Sequence, residues 1–199
     1  MLARFKPLFI TVAAFASCWA GVIWHRRASN REPGTGDLVA RLLVLPLALL
    51  LADPVQAALL APDEPPVLLR AAASAQLADS ADTVKRPAPG VLDGLVADLL
   101  ASTRCEPSDI AALAADTDHR GNRTMELMDL VSNRFKQLDA SADLASVGMA
   151  CGSSGAATYL TALVLARQDV TERGAPVLCI GNLDPYRRDA ALLAPGTEV

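Results

Sequence analysis

The chain has 199 residues, 18 basic and 22 acidic, a net charge of −4, and is 52 % apolar but only 4 % aromatic. That apolar excess, mostly Ala and Leu, excludes a disordered chain, and the acidic balance excludes a broad basic nucleic-acid surface. Four cysteines without a CxxC spacing and two histidines, His25 and His119, exclude a zinc ribbon, a dense disulfide scaffold and most all-protein zinc sites.

Residues 8–24 (LFITVAAFASCWAGVIW) form an uncharged run with Arg4 and Lys6 before it and His25, Arg26 and Arg27 after it. About 20 apolar residues span a bilayer, and Trp19 and Trp24 suit the lipid–water boundary. We read the run as a single-pass membrane anchor within residues 1–28. Two alternatives stay open: a cleaved signal peptide, and a lipoprotein signal, because Phe15-Ala16-Ser17-Cys18 loosely resembles a lipobox. Positive charge on both flanks leaves the membrane side undecided. Residues 29–37 are a polar Pro/Gly linker. Residues 38–62 carry a second apolar stretch, LLVLPLALLLA, too short to span a membrane comfortably and read as a buried or interfacial helix kinked at Pro46. Val55-Gln56-Ala57 has the small-residue look of a signal-peptidase site.

Residues 63–199 form the expected globular domain. Residues 67–73 read as a strand and 74–90 as a long loop. From Val91, apolar residues recur at Leu92, Leu95, Val96 and Leu99, the spacing of one helical face. Pro107-Ser108-Asp109 is a turn, 110–115 a short buried strand, and 116–122 (DTDHRGN) a polar loop. A helix follows over 124–138, a strand over 144–149, a small-residue turn at 151–155, an apolar helix over 156–168 and a strand over 177–181. The alternation predicts an α/β fold with right-handed crossovers onto a mostly parallel sheet.

Cys151 is the candidate nucleophile. A turn between a strand and a helix places its thiol near a helix N-terminus, where unpaired N–H groups and the macrodipole favour a thiolate. Gly152, Ser153 and Gly155 would then admit a substrate and lend backbone N–H groups to an oxyanion. The competing reading is a small cysteine packed where only small residues fit. The order of elements over residues 91–188 resembles the N-terminal half of the thiolase-like superfamily, which includes the β-ketoacyl synthases. Pro107-Ser108-Asp109-Ile110 falls where such proteins turn into a strand, Asp116-Thr117-Asp118-His119 where that strand ends, and Met149-Ala150-Cys151-Gly152 where their nucleophilic cysteine stands. The resemblance implies a partial thiolase-like fold of βαβαβ layers, preceded by the transmembrane helix, with Cys151 at the acyl-accepting position. It implies an acyl-CoA or acyl-carrier-protein thioester as substrate and no resident cofactor.

In the family the catalytic His and its second His or Asn lie in a C-terminal half, and His119 does not fill that place. We therefore expect a membrane-anchored, catalytically incomplete scaffold or adaptor, in secretion or lipid handling, that works as a homodimer or with a partner subunit. The alternative is a ketosynthase-type acyltransferase subunit using Cys151. A remote third reading is a haloacid-dehalogenase-like phosphatase, in which Asp116 and Asp118 follow a strand as a DxD pair binding Mg²⁺. Arg120 stands where that motif has Thr or Val. The plain alternative for both aspartates is a strand-end loop whose side chains satisfy nearby N–H groups. Arg120, Arg123 and Glu126 read as surface ion pairs, and Arg187-Arg188 as a solvated face or a phosphate contact.

Overall fold

Alternating side chains on the central strands explain the architecture. A computed structural model describes residues 66–83, 90–153 and 155–196. The expected anchor at 8–24, the linker and the second apolar stretch lie outside them. Among the described residues no helix is long and apolar enough to cross a membrane.

The elements in chain order are β1 (Val67–Gln76), α1 (Val91–Thr103), a 3₁₀ turn (Pro107–Asp109), β2 (Ala112–Ala115), α2 (Gly121–Arg134), β3 (Leu144–Ser146), α3 (Val147–Cys151), α4 (Ala156–Arg173), β4 (Val177–Gly181) and β5 (Arg187–Pro195). The strands form one sheet in the order β1-β5-β4-β2-β3. On β2 and β4, Leu113, Ala115, Leu178 and Ile180 face one way, into a core with α1 and α2. Ala112, Ala114, Val177 and Cys179 face the other way, against Ala162, Leu165, Ala166 and Val170 of α4. Strands buried on both faces read as continuous apolar runs, as ALAA and VLCIG do. The strand order accounts for the two layers. The connection from β2 to β3 steps outward and that from β3 to β4 returns past β2, so right-handed crossovers put α2 and α4 on opposite faces.

The α/β class is as read from the sequence, but the mostly parallel sheet is corrected to a mixed one. β2 pairs parallel with β3 and β4, whereas β5 pairs antiparallel with both β4 and β1. Only residues 182–186 separate β4 from β5, and so short a link permits an antiparallel return but no parallel crossover. Strand β5 itself is absent from the sequence reading, and β1 runs on to Gln76 where a loop is expected. Both are Ala-rich, and Ala carries little strand preference. The strand expected over 144–149 ends at Ser146, and the chain turns straight into α3.

The charged residues hold the largest correction. Arg188 is fully buried, and its Nε donates to both carboxylate oxygens of Glu126, at 2.8 and 2.9 Å. Its Nη1 donates to the carbonyls of Asp184 and Arg187, each at 2.7 Å. Arg123 is also fully buried and reaches Asp82 at 2.8 Å. Neither is a surface pair; only Arg187 sits on the solvated face, beside Asp189. Removing one partner of a buried pair strands the other charge. Glu126→Ala should therefore cost about 3–5 kcal/mol in urea unfolding. Asp93→Ala, which breaks the half-exposed pair with Arg134, should cost no more than about 1 kcal/mol.

Candidate functional site

Open α/β sheets bind ligands outside the carboxyl ends of their parallel strands. Here those ends are Ala115, Ser146 and Gly181, and every candidate residue follows one of them.

After β2 and β4 the chain is cross-linked by side chains. Asp116 Oδ1 accepts the backbone N–H groups of Asn182 and Leu183, at 2.8 and 3.1 Å. Thr117 donates its hydroxyl to Asn182 Oδ1 at 2.7 Å, and Asn182 Nδ2 donates to the carbonyl of Arg123 at 3.0 Å. Thr117 and Asn182 are fully buried. Asn182 thus joins β2, β4 and α2, a role its sequence position does not disclose. The Asx geometry of Asp118 is local, as expected: its Oδ1 accepts the N–H of Arg120, and Arg120 Nε returns to both of its oxygens. With Asp116 held by two N–H groups and Asp118 held by Arg120, nothing in the arrangement favours the Mg²⁺ reading. Among the described residues no group of three metal-ligating side chains converges.

Burial pushes the Asp116 carboxyl up to about 6, with nearby Asp189 adding to the rise, while the Asn182 and Leu183 N–H groups and Arg188 oppose it. Burial likewise raises the Cys179 thiol, which lies in the core, and raises Tyr159, which hydrogen-bonds to that thiol. The Tyr159 ring lies over Gly181, where a Cβ would come within 3.0 Å of it.

Cys151 is half-buried and is the last residue of the five-residue α3, not the first turn of the long helix α4. Residues 152–155 separate it from Ala156, with Gly152 and Gly155 both at positive φ. The Gly152 N–H donates to the Gly148 carbonyl at 2.9 Å, closing the α3 turn, so it is already engaged. Ser153 is exposed, as is Gly155. The approach of α3 to the sheet is set by Gly148. A Cβ there would stand against the carbonyl oxygens of Asp116 and Thr117, 2.6 Å from the latter. Ser146 Oγ donates to that same Thr117 carbonyl at 2.9 Å. The Cys151 helix is therefore braced on the loop that carries Asp116. Of the sequence candidates, Cys151, Gly152, Ser153 and Gly155 share one loop, Asp116 lies beneath it as a brace, and Asp118 points to the Arg120 side. Cys105 follows α1, half-buried, and burial with Asp109 and Glu106 raises its thiol.

Two consequences are measurable. Gly148→Ala should lose about 1–3 kcal/mol of stability, because backbone must move to admit the methyl group, and should change the alkylation rate of Cys151. Asp116 binds its proton more tightly folded (about 6) than unfolded (3.8), so this group favours the fold below pH 4 and that contribution is lost as pH rises through 6. Asp116→Asn keeps an oxygen acceptor and removes the titration. The difference between wild-type and variant stability should grow by roughly 2 kcal/mol from pH 4 to pH 7, in favour of the variant.

No family model and no curated protein matches the sequence. Solved structures do. An oxazolomycin ketosynthase domain of Streptomyces albus matches at 15 % identity and a TM-score of 0.52, covering 71 % of this chain and 48 % of that one. A thiolase of Ascaris suum, solved with coenzyme A, matches at 11 % identity and TM-score 0.49, over 70 % and 34 % of the two chains. The ishigamide ketosynthase/chain length factor matches at 14 % identity and TM-score 0.47, over 67 % and 36 %. The chain spans about half, or less, of the length of these structures. The described domain therefore has a ketosynthase-like fold, matched over 48 % of that ketosynthase domain's length.

Proposed function

We propose that this protein is a ketosynthase-like adaptor: a half domain held at a membrane by residues 8–24, which works with a partner subunit and does not itself turn over acyl thioesters. The observation that carries this reading is the placement of Cys151. Its thiol stands at the carboxyl end of α3, where helix carbonyls disfavour a negative charge, and the N–H that follows it is already bonded. A nucleophilic cysteine needs the opposite surroundings, an electropositive helix start or a neighbouring base. His119, the histidine among the described residues, follows β2 on the loop whose Asp118 is paired with Arg120.

A second reading rests on Cys151 being accessible beside two positive-φ glycines at the carboxyl ends of the strands. In that reading a partner supplies the base and Cys151 accepts an acyl group from a CoA or carrier-protein thioester. Mass spectrometry of the full-length chain, treated with acyl-CoA and separately with iodoacetamide at neutral pH, distinguishes the two. For the adaptor, Cys151 should react no faster than an ordinary accessible thiol and take up no acyl group. Stoichiometric acylation at Cys151, abolished by Cys151→Ala, would establish the enzymatic reading instead.

A further inference from the structure

Three arginines meet at the start of α2. Arg120 is its N-cap residue, Arg123 lies in its first turn, and Arg188 comes from β5. Arg123 and Arg188 are fully buried. Nε and Nη1 of Arg123 and Nη2 of Arg188 are buried without a hydrogen-bond partner. Natural proteins rarely leave such donors unmet, and guanidinium groups least of all. Burial and the charges of Arg188 and Arg120 push the Arg123 guanidinium down, against the opposing pull of Asp82 and Glu126.

The group now facing them is Asp82. Its Oδ1 accepts Arg120 Nη1 at 2.7 Å and Arg123 Nη2 at 2.8 Å. Asp82 belongs to a short strap after β1 rather than to the sheet, and its side chain is 44 % exposed. Among the described residues the strap is tied down by Leu77 N–H to the Tyr186 carbonyl, Ala81 N–H to the Pro185 carbonyl at 2.7 Å and Asn122 Nδ2 to the Ala81 carbonyl, with Ala81 itself buried. A single carboxylate oxygen shared by two guanidiniums is a thin counterion for this site. Glu126 and Asp118 are committed to Arg188 and Arg120.

We propose that Arg120, Arg123 and Arg188 form a binding site for a phosphoryl group, occupied in this conformation by the Asp82 carboxylate as an internal substitute. Displacing Asp82 frees Arg120 Nη1 and Arg123 Nη2, which join the three unmet donors at the N-terminus of a 14-residue helix. A tetrahedral dianion offers more acceptor oxygens and more charge than one carboxylate, and helix starts favour such anions. Ligand entry requires the strap to lift, so the ligand and Asp82 compete for one place. This site is independent of the reading of Cys151.

The test is thermal melting of the full-length chain in inorganic phosphate against chloride at equal ionic strength. Asp82→Ala should melt below wild type in chloride and recover saturably in phosphate. Its apparent affinity should be at least about tenfold tighter than wild type, because the closed strap no longer competes. Adding Arg120→Ala should abolish the saturable response. Should Asp82→Ala fail to fold, Asp82→Asn, which keeps an acceptor oxygen, takes its place. A parallel series with phosphoserine separates a free phosphate ligand from a phosphate monoester: saturation by either supports the site. Phosphate acting equally on wild type and variant, with no saturation, would overturn it and leave Asp82 as a structural clasp.

Discussion

The Asp116 carboxylate, buried between the ends of β2 and β4, is the constraint on which the upper half of the domain depends. Its two N–H bonds fix where β4 ends and how the chain turns toward β5. Thr117 and Asn182 complete the link, and Asn182 carries it on to α2. Burying a carboxyl is unfavourable unless it is hydrogen-bonded. The raised proton affinity of Asp116 shows how much of that cost the two bonds leave uncompensated. The same crevice, in an open α/β sheet, is where a ligand is received. In this protein the loops at that place are cross-linked by Asp116, Thr117 and Asn182.

The same loop governs the chain beyond β3. Glycine at 148 lets α3 lie directly on the Asp116 and Thr117 carbonyls, and Ser146 bonds to the second of them. Cys151 is thus positioned from below, by the backbone contact of α3 with the end of β2. This separates two things that its sequence surroundings combine: a cysteine in a glycine-rich turn, and a cysteine at a helix start. Only the first holds here.

A second buried polar system lies on the α2 side. Glu126 neutralises Arg188, while Arg123 pairs with Asp82 on the strap after β1. Buried ion pairs add little net stability relative to apolar packing, but they penalise wrong arrangements heavily. Their placement ties α2 to β5 and to the strap, three segments far apart in the chain.

Periodicity in the sequence was enough for the helix over 91–103, for the helix over 156–168 that the structure extends to Arg173, and for the strands β2 and β4, because one apolar face or a doubly buried run leaves a local mark. The resemblance to a ketosynthase half came instead from the short motifs at Pro107, Asp116 and Cys151 and their order along the chain. Periodicity could not reveal β5, because Arg187-Arg188-Asp189 and an Ala-rich run look like a solvated end when their partners are unknown. Nor could it reveal the burial of Arg123 and Arg188 or the joining role of Asn182. An isolated charge is read as exposed, since only a distant carboxylate makes its burial tolerable, and that carboxylate is chosen by the fold. Local pattern determined the elements and their class. The tertiary structure alone decided the mixed sheet, the end of the helix on which Cys151 stands, and which charges are buried, because each depends on contacts between segments with no shared sequence signal.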